Sequence, residues 1–264
     1  MNARTLDRPA TTAPSPRRIA AAYFEEIRCE ALRLLRNPGL ALPTLVMPVA
    51  LYALIALVVT GEATAKEPVT ALFLFCAFSV MAVSMPALFG IGASLAMERE
   101  MGMLRLKRAQ PAPTGSWLVA KIACGLAFGA IAYLPILAVA LAAGRLPLEP
   151  VRVAAMSAAL LAGAIPFCAM GLMIGTLFRG SAAPGYANLV YLPGCYLSGM
   201  FFPLPPSMYW QVPVWPQFHV GQLAMHAGGV QKLQFEPVLT AVGGVVGFTV
   251  LFSAVAIWRL ARKG

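Results

Sequence analysis

Six apolar runs, each long enough to cross a bilayer, dominate the chain, at about 39–60, 69–97, 114–143, 151–178, 183–202 and 237–260. A bilayer core of about 30 Å takes about 20 apolar residues in helical form. Helices suit it because each backbone N–H and C=O is satisfied within the segment. The chain therefore reads as an all-α polytopic membrane protein with six transmembrane helices filling residues 39–264. Only 11% of its residues are charged, against about 25% in water-soluble domains. The second run would reach about 43 Å as a helix, so it must tilt or protrude.

Lys and Arg set the expected orientation. With both termini cytoplasmic, sixteen of the twenty fall inside, leaving Lys66, Arg145, Arg152 and Lys232 outside. The net charge of +10 thus follows topology and not one basic face, which argues against a nucleic-acid partner. Cys29, Cys76, Cys124, Cys168 and Cys195 lie singly, without metal-ligand spacing, and read as small core residues.

Residues 1–18 lack the apolar core of a cleavable signal and read as a disordered cytoplasmic tail. Residues 19–36 form an amphipathic pattern. Ile19, Tyr23, Ile27, Ala31, Leu34 and Leu35 recur at helical spacing, with Glu25, Glu26, Arg28, Glu30, Arg33 and Arg36 opposite. Such a helix is expected at the membrane interface, arginines at the headgroups, ended by Asn37-Pro38-Gly39.

Between the second and third runs stands a charged insert, Glu98 to Arg108. It reads as a short helix over 98–110, acids first and bases last, as a helix dipole favours. Pro111 and Pro113 stop it. An ordinary basic loop would fix topology and nothing else. The acids and the Met-Leu face of Met101, Met103, Leu104 and Leu106 suit docking to a partner instead. The sequence contains no G-x-x-x-x-G-K-[ST], so ATP-driven work would need an ATPase on another polypeptide.

E-R-E-x-G-x-L followed by R-A-Q-P-A-P resembles the signature of membrane-spanning permease subunits of type-2 ATP-binding-cassette exporters. R-N-P-G at Arg36–Gly39 and Y-L-P-G-C-Y-L-S-G-M-F-F-P at Tyr191–Pro203 match as well. The resemblance implies the six-span exporter permease fold with a cytoplasmic coupling helix. It makes Glu98, Arg99, Glu100, Gly102, Leu104 and Arg105 the elements that couple to the ATPase. It implies two copies of a separate ATPase subunit, which would bind ATP and Mg, and a second permease copy or a paralogue. Lining of a substrate path falls to Ser84, Phe89, Asn188, Tyr191, Tyr196 and Ser198. The expected site is a bacterial cytoplasmic (inner) membrane, and the expected cargo an amphipathic or lipid-linked molecule: drug, lipid, glycolipid or polysaccharide.

Residues 203–236 are rich in proline and aromatics and suit a re-entrant pair of short outer helices between spans five and six. Tyr209, Trp210 and Trp215 are expected at headgroup level. An outer gate there would use Phe201, Phe202, Tyr209 and Trp210. His219 and His226, seven apart, share a helix face, but no metal site is expected because further ligands are lacking. The spans hold almost no ionisable groups, and Lys121 is expected to snorkel to the interface. An ion-gradient carrier or a membrane-embedded Ser/His enzyme are the alternatives to an exporter. Gly125/Gly129, Gly171/Gly175 and Gly243/Gly247 form GxxxG pairs that allow close helix approach.

Overall fold

The computed structural model describes residues 15–109, 113, 115–202 and 204–263. The expected disordered tail lies outside these residues over 1–14, as do Gln110, Pro111, Ala112 and Pro203 of the motifs above. Helix α1 (Pro16–Leu35) begins before Ile19, because Pro16 takes the first-turn position where its missing N–H costs nothing. No strand occurs among the described residues.

α2 (Pro38–Tyr52) runs on as a wider, π-helical stretch over Ala53–Val59. Thr60 closes that stretch, its N–H donating to Ile55 O at 2.8 Å and its hydroxyl to the same oxygen at 2.7 Å. The short α3 (Gly61–Lys66) follows. α4 (Pro68–Met85), a π-helical turn at Pro86–Gly90 and α5 (Ile91–Glu100) then form one rod of 33 residues. The widening starts at Pro86, which offers no N–H to the preceding turn. From Ala71 to Ala96 the rod is almost wholly apolar and almost wholly buried, as a helix hydrophobic all round must be.

α6 (Met103–Ala109) is separated from the rod by Gly102, whose φ of +71° breaks the helix. The expected continuous helix over 98–110 is thus corrected. Glu98 and Glu100 close the long rod instead of opening a short helix, and α6 starts afresh beyond the turn. α7 (Ser116–Ala142) is a single span-length helix. α8 (Pro150–Ala162) and α9 (Ala164–Leu177) join through Gly163 into another of 28 residues.

α7 and α9 reach the rod through glycines. A Cβ on Gly171 would stand 2.7 Å from Leu88 O, and one on Gly129 3.1 Å from Val83 O. Backbone meets backbone there, so any side chain would force the helices apart. Gly243 and Gly247 have no neighbour within 4 Å of a Cβ position.

α10 (Ala183–Leu197) has 15 residues, about 22 Å. It ends where Gly199 adopts φ +70°. Among the described residues, five helices are long and apolar enough to cross a membrane: Pro38–Val59, Pro68–Glu100, Ser116–Ala142, Pro150–Leu177 and Val238–Arg262. The run at 183–202, expected as a span, is not among them because the left-handed turn cuts its helix short.

A 3-10 helix (Pro206–Val214) and α11 (Pro216–Gly228) occupy the proline-aromatic segment. α11 packs among α4, α8 and α12 (Val238–Lys263). It fits into the bend at Gly163, where a side chain would collide with Val220.

Candidate functional site

The E-R-E motif closes the rod, and its first side chain turns inward. Glu98 is fully buried. Its Oε1 accepts from Arg33 Nη1, lies 3.2 Å from Lys121 Nζ and 3.7 Å from Lys107 Nζ. Lys121 Nζ also donates to Glu30 Oε1 at 2.8 Å and to Ser94 Oγ at 2.9 Å. Arg33 pairs with Glu30 at 3.3 Å, and Lys107 with Glu26 at 3.0 Å.

Three carboxylates and three cations thus meet, drawn from α1, the rod end, α6 and α7. A carboxylate on the last turn of a helix opposes the dipole, and the cations from neighbouring elements offset that cost. Burial alone would raise the Glu30 carboxyl. The Lys121 ammonium and its hydrogen bond, with Arg33 and Ser94, more than offset burial and hold it below the usual carboxylate range. Glu98 Oε2 has no hydrogen-bond partner among the described residues.

Arg99 donates from Nη1 to Gly175 O at 2.8 Å, binding the rod to the last turn of α9. Glu100 is exposed, its carboxylate standing over Gly180 in the α9–α10 turn. Consecutive residues therefore knot the rod end to its neighbours. Leu104 is buried and anchors α6, while Met101, Arg105 and Leu106 point outward. Gly102 supplies the turn.

The expected snorkelling of Lys121 is corrected. It is 1% exposed, because Glu30, Glu98 and Ser94 supply inside the protein what headgroup water would supply outside. Cys29, expected in the core, is exposed, whereas Cys76, Cys124, Cys168 and Cys195 are buried. α1 also differs from its expected polarity. Glu26, Glu30 and Arg33 face inward with Ile27 and Leu34, and Leu35 faces outward.

The residues expected along a path separate into two groups. Ser84, Phe89, Tyr191 and Ser198 are buried within the single chain. The Ser84 and Tyr191 hydroxyls share a hydrogen bond of 2.6 Å, and the Phe89 and Tyr191 rings meet edge-on at 5.6 Å. Asn188 and Tyr196 lie on the exposed side of α10. Of the expected gate residues, Phe201 packs on Phe78, while Phe202, Tyr209 and Trp210 are exposed.

His219 and His226 both turn toward Glu236, which sequence reasoning passed over. His219 engages Glu236 Oε1 through Nδ1 at 2.8 Å and Pro213 O through Nε2 at 2.9 Å. His226 Nε2 donates to Glu236 O at 2.7 Å. With both nitrogens occupied, His219 has none to offer a hydroxyl nucleophile. No cluster of three metal-ligating side chains occurs among the described residues.

An internal charge knot thus closes one end of the buried rod, beside a short helix that turns Arg105 and Leu106 outward. The ABC-2 type transporter family matches this sequence over residues 25–226, from the middle of α1 to the last turns of α11. The chain belongs to that family. As an ABC-2 type transporter chain it is an integral membrane transport permease. It is 26% identical over 195 residues to "Putative transport permease YvfS" of Bacillus subtilis (strain 168), across 73% of this chain and 79% of that relative.

Proposed function

We propose that this permease is the membrane half of an ATP-driven exporter, moving an amphipathic or lipid-linked substrate out of the cytoplasm or inner leaflet. Separate ATPase subunits, two per transporter, bind ATP and Mg and dock on α6. A second permease copy or a paralogue completes the path. α10, too short to span alone, serves as the sixth crossing together with the outer short helices. Both termini lie in the cytoplasm of a bacterial cell.

The supporting observation is the division of α6. Leu104 and Lys107 fix it to the rod and to α1, while Arg105 and Leu106, with Met101 of the preceding turn, stand free for a partner. A short helix held this way transmits a push from the ATPase as rigid-body movement of the rod and α7.

Affinity purification of the chain from native membranes tests the proposal. A nucleotide hydrolase co-purifies with the parent chain and is lost with Leu106→Glu. Intact transport by the purified chain alone in ATP-free vesicles would refute it.

A further inference from the structure

α1 sorts its charges by side. Two of its three glutamates, Glu26 and Glu30, point inward to Lys107 and Lys121. The outward stripe runs Arg17, Ala21, Phe24, Arg28, Leu32, Leu35, with Arg18, Cys29 and Arg36 at its margins. Its one acid, Glu25, is held by Arg28 at 3.3 Å. Four arginines therefore face outward against one glutamate, interleaved with three large apolar side chains.

The position of this stripe relative to the bilayer follows from the chain. Only Arg36 and Asn37 separate α1 from the span that begins at Pro38. The inner face of α1 meets α7 at Lys121, Cys124 and Phe128, inside a membrane span. The outer stripe thus stands at headgroup height, continuous with the exposed Leu42 and Val46 of α2. We propose that the outward face of α1 is a docking surface for anionic phospholipid, its arginines on the phosphates and Phe24, Leu32 and Leu35 among the upper acyl carbons. The internal consumption of Glu26 and Glu30 makes the face selective. Without it the helix would present nearly balanced charge and no preference between acidic and zwitterionic leaflets.

Cys29 is a native reporter at the margin of this face, since the other four thiols are buried. The full chain is reconstituted in nanodiscs of phosphatidylcholine, alone or with about 30% phosphatidylglycerol, and labelled with a water-soluble maleimide; labelling is expected to slow at least about threefold in the acidic discs. The difference shrinks at high salt and vanishes in R17Q/R18Q/R28Q/R36Q, whose melting temperature matches the parent. Equal rates in both lipids overturn the proposal. So does a difference in the parent chain that ignores salt, or protection that appears only when a second protein is added.

Discussion

Lys121 donates to the Glu30 carboxylate across 2.8 Å, joining α7 to α1 over 91 residues of sequence. Both groups are buried, and Glu98 lies 3.2 Å from the same ammonium. Removing one member of such a set strands the others without solvent. Lys121→Met should therefore cost about 3–5 kcal/mol. The check is thermal unfolding in detergent, with Glu30→Gln added in a double-mutant cycle. The double variant recovers part of the loss if the two residues act on each other.

Glu98→Gln keeps the shape and removes the charge that Arg33, Lys107 and Lys121 share. The expected result is a lower melting temperature and faster hydrogen exchange in α1 and α6 together. Exchange that rises in only one of them would mean that the two are not held through Glu98.

Acid should loosen α1 through Glu30. Its carboxyl titrates below the ordinary carboxylate range because of Lys121, Arg33 and Ser94, against the effect of burial. A depressed folded value means that the stability from this group is fully present above the unfolded value. It is lost as pH falls through the folded one. The melting temperature of the parent chain should fall more steeply than that of Glu30→Gln as pH drops below about 4. Parallel curves would contradict the assignment.

The two kinds of glycine pair should respond unequally. Gly171→Ala pushes a methyl toward Leu88 O, and backbone cannot step aside, so a loss of about 1–3 kcal/mol is expected. Gly243→Ala meets open space and should be within about 0.5 kcal/mol of the parent. Denaturation of both variants in the same detergent makes the comparison.

The spans were largely legible because bilayer chemistry imposes length and apolarity locally. Five of the six expected crossings coincide with span-length helices among the described residues; the run at 183–202 does not, because hydropathy does not register the left-handed turn at Gly199. The charge knot was only half legible. Glu98 and Arg99 stood out, but their partners Arg33 and Gly175 lie 65 and 76 residues away. Helical periodicity reads one element at a time, so Glu30 and Arg33 looked like positions on the polar, headgroup side of an interface helix. The better signal was Lys121, a lone cation well inside an apolar run. Such a charge needs a buried counter-charge, and α1 held the candidates.

The central claim is that α6 delivers force from a separate ATPase, with one side gripped by this chain and the other by the partner. Site-specific photocrosslinking in native membranes measures it most directly, using a crosslinking residue at Leu106 in one preparation and at Leu104 in another. A nucleotide hydrolase should be captured from position 106, and products within the permease alone from position 104. No hydrolase at 106, or equal capture from both positions, would contradict the account.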